Sequence, residues 1–441
     1  MQQYEPPGIG KGLTLDFSLP SELAAFLDRV DRFIDAEIRP LQAADDNERF
    51  FDHRREWART DFDRGGLPRE EWEDLLRQAR DRADRAGILR YSLPAELGGM
   101  DGSNLGMAVV RDHLAAKGLG LHNDLQNEFS VVGNFGVVIV FRDYGTAEQR
   151  EAFIGPILAG ERRVVFALSE PDHGSDISHM ETRAVPEVRD GAAGWRINGE
   201  KMWTTAMHVA THVMLFARTS GAAGDGTGVT AFLVPANDPG VDIQEYLWTF
   251  NMPTDHARVA YRSVWVPENA ILGALGDGLS VAQHFVHDSR IRQAASSLGA
   301  ADYCIRESVK YARERKPFGK PLAANQAIQF PLVELATQVE MLRLLIRKTA
   351  LEMDMMSRTE VARTLSDKVA MCNYWANRLV CEAADRAMQV HGGIGYSRHK
   401  PFEHIFRHHR RYRITEGAEE IQMRRIAAWM FGFAGPNKQR P

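Results

Sequence analysis

Cysteine is scarce: the 441 residues hold three, Cys304, Cys372 and Cys381. None forms a Cys-x-x-Cys pair and the count is odd, so reduced thiols inside helices are expected rather than a disulfide framework. Long apolar runs are missing as well. No stretch reaches the roughly 20 consecutive apolar residues that a membrane helix needs, and the start, MQQYEPPGIGKGLTLDF, lacks a basic lead followed by an apolar core. A cytoplasmic protein with no membrane partner is the expectation. Excess positive charge is absent: the net charge is -5 at pH 7, which removes the footprint of a nucleic-acid binder. There is no internal repeat to suggest a solenoid, and no Gly-x-Ser-x-Gly elbow to suggest a serine hydrolase.

What is present is a globular composition, 44% apolar and 26% charged, in a chain too long for one ordinary core. The apolar period changes twice along it. Leu23, Phe26, Leu27, Val30, Phe33 and Ile34 recur at three and four and predict a helix that Pro40 should end. Further helices are expected over 70–86, 105–117, 123–143 and 146–159, with a turn at Leu93–Gly99. The stretch 46–65, charged and aromatic with no clear face, reads as an exposed insertion. From Val164 the period becomes that of strands. Asn198-Gly199, between Trp195–Ile197 and Lys201–Trp203, predicts a type I′ hairpin because both central residues of that turn need positive φ. A looser turn, GAAGDGTG, separates Val213–Ala217 from Val229–Val234. Beyond Gly278 two long stripes appear, Leu332 to Thr349 and Leu365 to Ala383, at the near-heptad spacing of packed helices. The expected fold class is α+β: an N-terminal all-α domain over 1–160, a small β domain over 161–275, sandwich or barrel-like, and a C-terminal four-helix bundle over 276–441.

One passage, Gln389 to Gln422, concentrates residues suited to chemistry: glycines 392, 393 and 395, a basic run, and a lone carboxylate in Thr415-Glu416-Gly417. Taken singly its parts have plainer readings. Gly392-Gly393-Ile394-Gly395 is a helix C-terminal turn, and the helix before it argues against a dinucleotide fold. His404, His408 and His409 lack a carboxylate or cysteine to complete a metal set, and Arg407, Arg410 and Arg411 would repel a dication, so no metal is expected. The basic run is expected to face phosphates, or acidic groups across an interface. Elsewhere, Gly8 to Gly12 is too short for a phosphate loop, Trp203 alone reads as a strand core aromatic, and Arg315 and Arg290 as surface charges. Glu416 alone is either a helix-entry carboxylate or a base.

Four passages taken together point further: FALSEPDHGSD (Phe166–Asp176), WRINGEKMWTT (Trp195–Thr205), RKPFGKPL (Arg315–Leu322) with Gln326, and Gln389–Gln422. In sequence and in order they resemble the signatures of the acyl-CoA dehydrogenases, over about residues 18–434. The resemblance implies FAD as cofactor, an acyl-CoA substrate and α,β-desaturation, with Glu416 removing the α-proton and the flavin N5 taking the β-hydride. It implies that Phe166, Leu168, Ser169, Ser175, Trp203, Thr204 and Thr205 of one subunit contact the flavin. Arg315, Phe318, Gln326, Gln389, Gly392 and Gly393 of a neighbouring subunit would hold its diphosphate and adenine, so a homotetramer, or at least a dimer, is implied. Ser175, Arg290 and Gly417 match positions that hold acyl-CoA, and electron-transfer flavoprotein is the implied electron acceptor.

The chemistry is consistent with those residue types. A flavin ring needs an apolar wall and partners for its polar edge, the base needs a carboxylate whose proton affinity is raised by an apolar site, and Gly417 leaves room beside it for substrate. Some members carry the base just before the arginine that Arg290 matches, and here that residue is Ser289. Other departures are Ala418 in place of threonine, Glu420 in place of glutamine, and Asn251-Met252-Pro253-Thr254-Asp255-His256 in place of a Gly-x-Arg-Gly-Ser segment. His122–Glu128 is unusually polar for a stretch that lines the acyl pocket in relatives, which suits a polar or bulky acyl group or an exposed helix start. The rival readings are an oxygen-using relative, oxidase or monooxygenase, and a catalytically silent paralogue that binds flavin or acyl-CoA.

Overall fold

The computed structural model describes residues 18–123, 131–435 and 438. The lead-in glycines 8–12 and most of the polar stretch 122–128 lie outside them. The first helix, Ser21–Phe33, buries the predicted stripe. Pro40 does not end it. The helix widens into a π turn at Ile34–Ile38 and resumes as Arg39–Ala43, with Pro40 in the opening turn of that new segment, where the N–H that proline lacks has least to do.

The stretch 46–65 is also not an exposed insertion. It folds into 3-10 turns at Ala44–Phe50 and His53–Ala58, then a two-stranded ribbon pairing Thr60–Asp61 with Leu67–Pro68. Phe50, Ala58 and Thr60 are buried, and the Phe50 ring packs 5.4 Å from that of Trp72. Such short turns repeat too few times to show a periodic face in sequence. Helices Glu70–Arg85, Asn104–Ala115 and Ala147–Leu158 lie near their expected positions. The helix expected over 123–143 is shorter in its described part, Gly136–Tyr144, since Val131 and Val132 are buried outside any helix.

The middle region is one eight-stranded sheet. Its hairpin turns at Asp190-Gly191, not at Asn198-Gly199. Asp190 (φ 52) and Gly191 (φ 81) supply the two positive φ angles, and Arg189 pairs with Ala192 across the turn. The strand Ala192–Thr205 runs on through Asn198-Gly199, which makes a register shift against His256–Pro267. Gly199 is required by close approach: a Cβ there would lie 2.4 Å from Thr182 Oγ1. The second turn is where the pattern put it, between His212–Arg218 and Val229–Pro235.

Three long helices, Gly278–Glu314, Gln326–Asp354 and Ser366–His391, form the bundle, and Phe402–Arg410 with Glu419–Met430 completes it. Both predicted stripes face its core, where all three cysteines are buried as free thiols. Ala108 and Ala115 of the helix Asn104–Ala115 join that same core, which seats the N-terminal helices on the bundle. A separate cluster of Val138, Phe141, Phe216 and Val281 ties both to the sheet.

Candidate active site

Between the 3-10 turn Arg411–Arg413 and the helix Glu419–Met430 the chain makes two successive left-handed residues, Glu416 (φ 56) and Gly417 (φ 91). A non-glycine residue held there stores on the order of 1–3 kcal/mol, so its surroundings must impose the conformation. They do so through Arg290, in the helix Gly278–Glu314. Its Nε and Nη2 donate to the Glu416 carbonyl at 2.9 and 2.6 Å. The Arg290 carbonyl accepts from Asn373 Nδ2 at 2.9 Å, and Gln422 Nε2 donates both to Asn373 Oδ1 and to the Gly417 carbonyl, each at 2.8 Å. The loop is thereby fixed to two helices of the bundle. Arg290 is buried and, among the described residues, its Nη1 has no partner; burial, with Arg425 nearby, pushes its pKa down to about 10 against the pull of Glu416.

Gly417 does not simply clear space for substrate: a Cβ at this position would sit 2.9 Å from Arg290 Nη2, so the room it leaves is used by that guanidinium. Gly417→Ala is expected to lower stability by about 1–2 kcal/mol through the left-handed backbone alone. It would also loosen Arg290 from the Glu416 carbonyl, read as a lower Tm together with slower turnover.

Two carboxylates three residues apart are driven in opposite directions here. Burial raises the pKa of Glu416 above the ordinary range, with Arg290 and then Arg292 pulling it partly back. Glu419 is pulled down to about 2 by hydrogen bonds from Arg413 (2.9 Å) and Arg378 (3.0 Å). Such divergence separates a proton acceptor from a structural anion. Because the folded pKa of Glu419 is depressed, its stabilisation is present above the unfolded carboxylate pKa and fades as pH falls toward 2. Glu419→Gln is therefore expected to cost about 1–3 kcal/mol at pH 7, with the gap in urea midpoint closing on acidification. Glu420 is exposed.

The basic run largely meets acids of its own chain rather than a free phosphate face. Arg407 pairs with Glu403 and Glu56, and Arg413 with Glu419. His404, His408 and His409 are buried, His404 stacking on His53 with ring centres 4.1 Å apart and His409 Nδ1 lying 3.0 Å from Ser297 Oγ. Among the described residues no group of three or more His, Cys, Asp or Glu could hold a metal.

A second constellation forms where the strand Val164–Ala167 ends. The loop that follows is clamped from inside by Glu170 and Lys201, an ion pair whose side chains are 4% and 0% exposed. Glu170 accepts from Lys201 Nζ at 2.8 Å and from the Thr182 and Glu181 N–H groups at 2.9 and 2.6 Å. Lys201 Nζ also donates to the Leu168 carbonyl at 2.9 Å. Burial lowers the Lys201 pKa to about 8 against the opposing pull of Glu170. Burial works to raise Glu170, but Lys201 and the hydrogen bonds outweigh it and hold it below its ordinary value. Sequence reasoning gave neither residue a role, although a lysine at an inward strand position was a signal.

The clamp shapes the ground on which the expected flavin residues stand. The Ser169 carbonyl accepts from Met202 N–H at 2.9 Å, joining the loop to the end of the strand Ala192–Thr205. Trp203 sits at φ 67 and is 50% exposed, so it is not a core aromatic. Thr204 is buried and, among the described residues, its hydroxyl has no partner. Thr205 Oγ1 lies 3.1 Å from Nδ1 of His256, whose ring is 6.2 Å from Trp203. Phe166 stacks on Phe285 at 5.0 Å, while Ser175 is exposed on the loop.

The remaining expected residues gather at the far end of the bundle. Arg315, Phe318 and Gln326 lie at the turn between Gly278–Glu314 and Gln326–Asp354, and Gln389, Gly392 and Gly393 at the close of Ser366–His391. Tyr311 stacks on His391 at 4.2 Å and brings the two ends together. All six are exposed, Phe318 completely, and Gly392 and Gly393 have open space where a Cβ would point. A cavity of about 270 Å³ lies between the N-terminal helices and the helix Gly278–Glu314, walled by Met107, Phe135, Ile139 and Ile291 and edged by Asn134 and Arg292.

Three family models match in chain order: acyl-CoA dehydrogenase N-terminal domain over 45–161, middle domain over 165–262 and C-terminal domain over 276–431. Among curated relatives, human mitochondrial short-chain specific acyl-CoA dehydrogenase is 31% identical over 346 residues, 77% of this chain and 79% of that one. The caffeyl-CoA reductase-Etf complex subunit CarC of Acetobacterium woodii is 28% identical, covering 82% of this chain and 91% of that one. Butyryl-CoA dehydrogenase of Megasphaera elsdenii superposes with a TM-score of 0.76 at 24% identity, over 95% of this chain and all of that one. With each domain matched in turn and such a relative covered over most of its length, the chain belongs to the acyl-CoA dehydrogenase family.

Proposed function

We propose that this enzyme uses FAD to desaturate an acyl-CoA thioester between Cα and Cβ, with Glu416 as the base. The observation that carries the reading is the Glu416 carboxyl itself, its proton affinity raised by burial and its backbone pinned by Arg290. A carboxylate so placed is suited to remove an α-proton at neutral pH. FAD when bound supplies the acceptor for the β-hydride. The residues present fit it: the unpartnered Thr204 hydroxyl offers a buried polar contact, Trp203 a half-exposed aromatic wall, and Ser169 and Thr205 hydroxyls for the polar edge.

Arg315, Phe318, Gln326, Gln389, Gly392 and Gly393 belong in this reading to the nucleotide end of a neighbouring subunit's cofactor. Their joint exposure at one end of the bundle supports that reading, in which the active enzyme is a dimer or homotetramer. Ser175, Arg290 and Gly417 hold the acyl-CoA, Arg290 through its unpaired Nη1. Electron-transfer flavoprotein is the proposed acceptor, in keeping with a relative that works in an Etf complex. That relative is named a reductase, and run in reverse the same carboxyl would return a proton to Cα. Anaerobic mixing of purified holoenzyme with a panel of acyl-CoA and enoyl-CoA thioesters tests the proposal. Acyl-CoA is expected to bleach the flavin, and a flavin that no acyl-CoA bleaches would refute it.

A further inference from the structure

Resting on that reading of the site, we infer that Arg292 makes the acyl pocket a receptor for an anionic acyl group, so that the preferred substrate is the CoA thioester of a chain ending in a second carboxylate. The cavity of about 270 Å³ is lined on the helix Gly278–Glu314 by Ile291 and Arg292, the two residues that follow the Arg290 that carries the Glu416 loop, and Arg292 is close enough to act on the Glu416 carboxyl. Its walls at Phe135, Ile139 and Ile291 suit a methylene chain. What is unusual is the charge along its edge.

Five charged side chains line the cavity, and four are already engaged. Arg142 pairs with Asp143 at 2.6 Å, and Arg358 contacts both Asp143 and His284. Asp354 caps the helix Asn104–Ala115 by accepting from the Asn104 and Leu105 N–H groups at 2.7 and 3.0 Å. Asp101 accepts from the Ala95 N–H at 2.9 Å. Arg292 stands apart. Among the described residues no carboxylate lies within 4.0 Å of it, Nε is buried without a partner, and Nη2 has only a 3.5 Å contact to Ser289 Oγ.

The Nε/Nη2 edge is the side of a guanidinium that receives a carboxylate through two parallel hydrogen bonds, and here that edge is almost unspent. A partly buried cation left unpaired is costly, and an anion entering the pocket would relieve the cost. The Arg292 charge also acts on the Glu416 carboxyl, lowering its basicity. A substrate anion that neutralises Arg292 would remove that pull, so the correct acyl group would strengthen the base that acts on it.

The test uses holoenzyme under anaerobic conditions and matched pairs of thioesters: butanoyl-, hexanoyl- and octanoyl-CoA against succinyl-, adipoyl- and suberoyl-CoA. Flavin reduction is expected to favour the carboxylated member of at least one pair by roughly tenfold or more in kcat/KM, the scale of one charge-assisted hydrogen-bonded contact. Arg292→Met should lower kcat/KM for that member about tenfold more than for its uncharged match, and Arg292→Lys should restore part of the preference. Reduction by alkanoyl thioesters with no preference for any carboxylated partner, or a preference that Arg292→Met leaves unchanged, overturns this inference and leaves the desaturase reading standing. Reduction by none of the six sinks both.

Discussion

Glu416→Gln is expected to leave the yellow cofactor bound and to slow its reduction by acyl-CoA by roughly a hundredfold to ten-thousandfold, the range that a positioned general base supplies. Glutamine keeps the shape and the backbone carbonyl, so both hydrogen bonds from Arg290 should survive. Only the proton acceptor is lost. Because burial puts the Glu416 pKa above the ordinary carboxylate range, the wild-type reduction rate should climb with pH through that raised value. In Glu416→Gln the climb should vanish. Stopped-flow reduction across a pH series reads both effects, and a mutant that reduces normally would show that the base is elsewhere.

The same loop shows what could be read from sequence and what could not. The Thr415-Glu416-Gly417 signature singles out, as a local feature, the carboxylate whose proton affinity burial raises, but the glycine beside it suggests only room for substrate and not the left-handed backbone that both residues adopt. That Gly417 serves the approach of Arg290 was not legible, since the two residues are 127 apart in the chain and nothing in the intervening pattern reports their contact. The long helices were legible for the opposite reason: Leu332 to Thr349 repeats one burial rule over many turns. The hairpin was misplaced because Asp190-Gly191 and Asn198-Gly199 carry equal turn chemistry, and only the close approach of Thr182 to Gly199 distinguishes them. The basic run suits phosphates or acidic groups across an interface, yet its partners Glu56, Glu403 and Glu419 come from scattered positions of the same chain that folding alone assembles.

Lys201→Met should be the most damaging change to the flavin side of the site, destabilising the protein by about 3–5 kcal/mol, because it leaves the Glu170 carboxylate buried without its cation. The damage should spread from the pair to the cofactor. Lys201 also holds the Leu168 carbonyl, and the next residue, Ser169, is tied to Met202, which precedes Trp203, Thr204 and Thr205. The expected result is therefore a lower Tm together with loss of flavin on dialysis, whereas a mere packing defect would lower Tm and leave the flavin in place. The double variant Lys201→Met with Glu170→Gln removes both charges and should recover part of the stability, since the penalty lies in the unpaired ion rather than in the absence of the pair. Flavin retention should recover less. Of the Thr182 and Glu181 N–H groups, which donate to different oxygens of Glu170, only one keeps an acceptor in the single glutamine oxygen, and the Leu168 carbonyl has lost its donor in either variant. Equal stability of the single and double variants would mean that the pair carries no coupling and that the loop is held by its backbone alone.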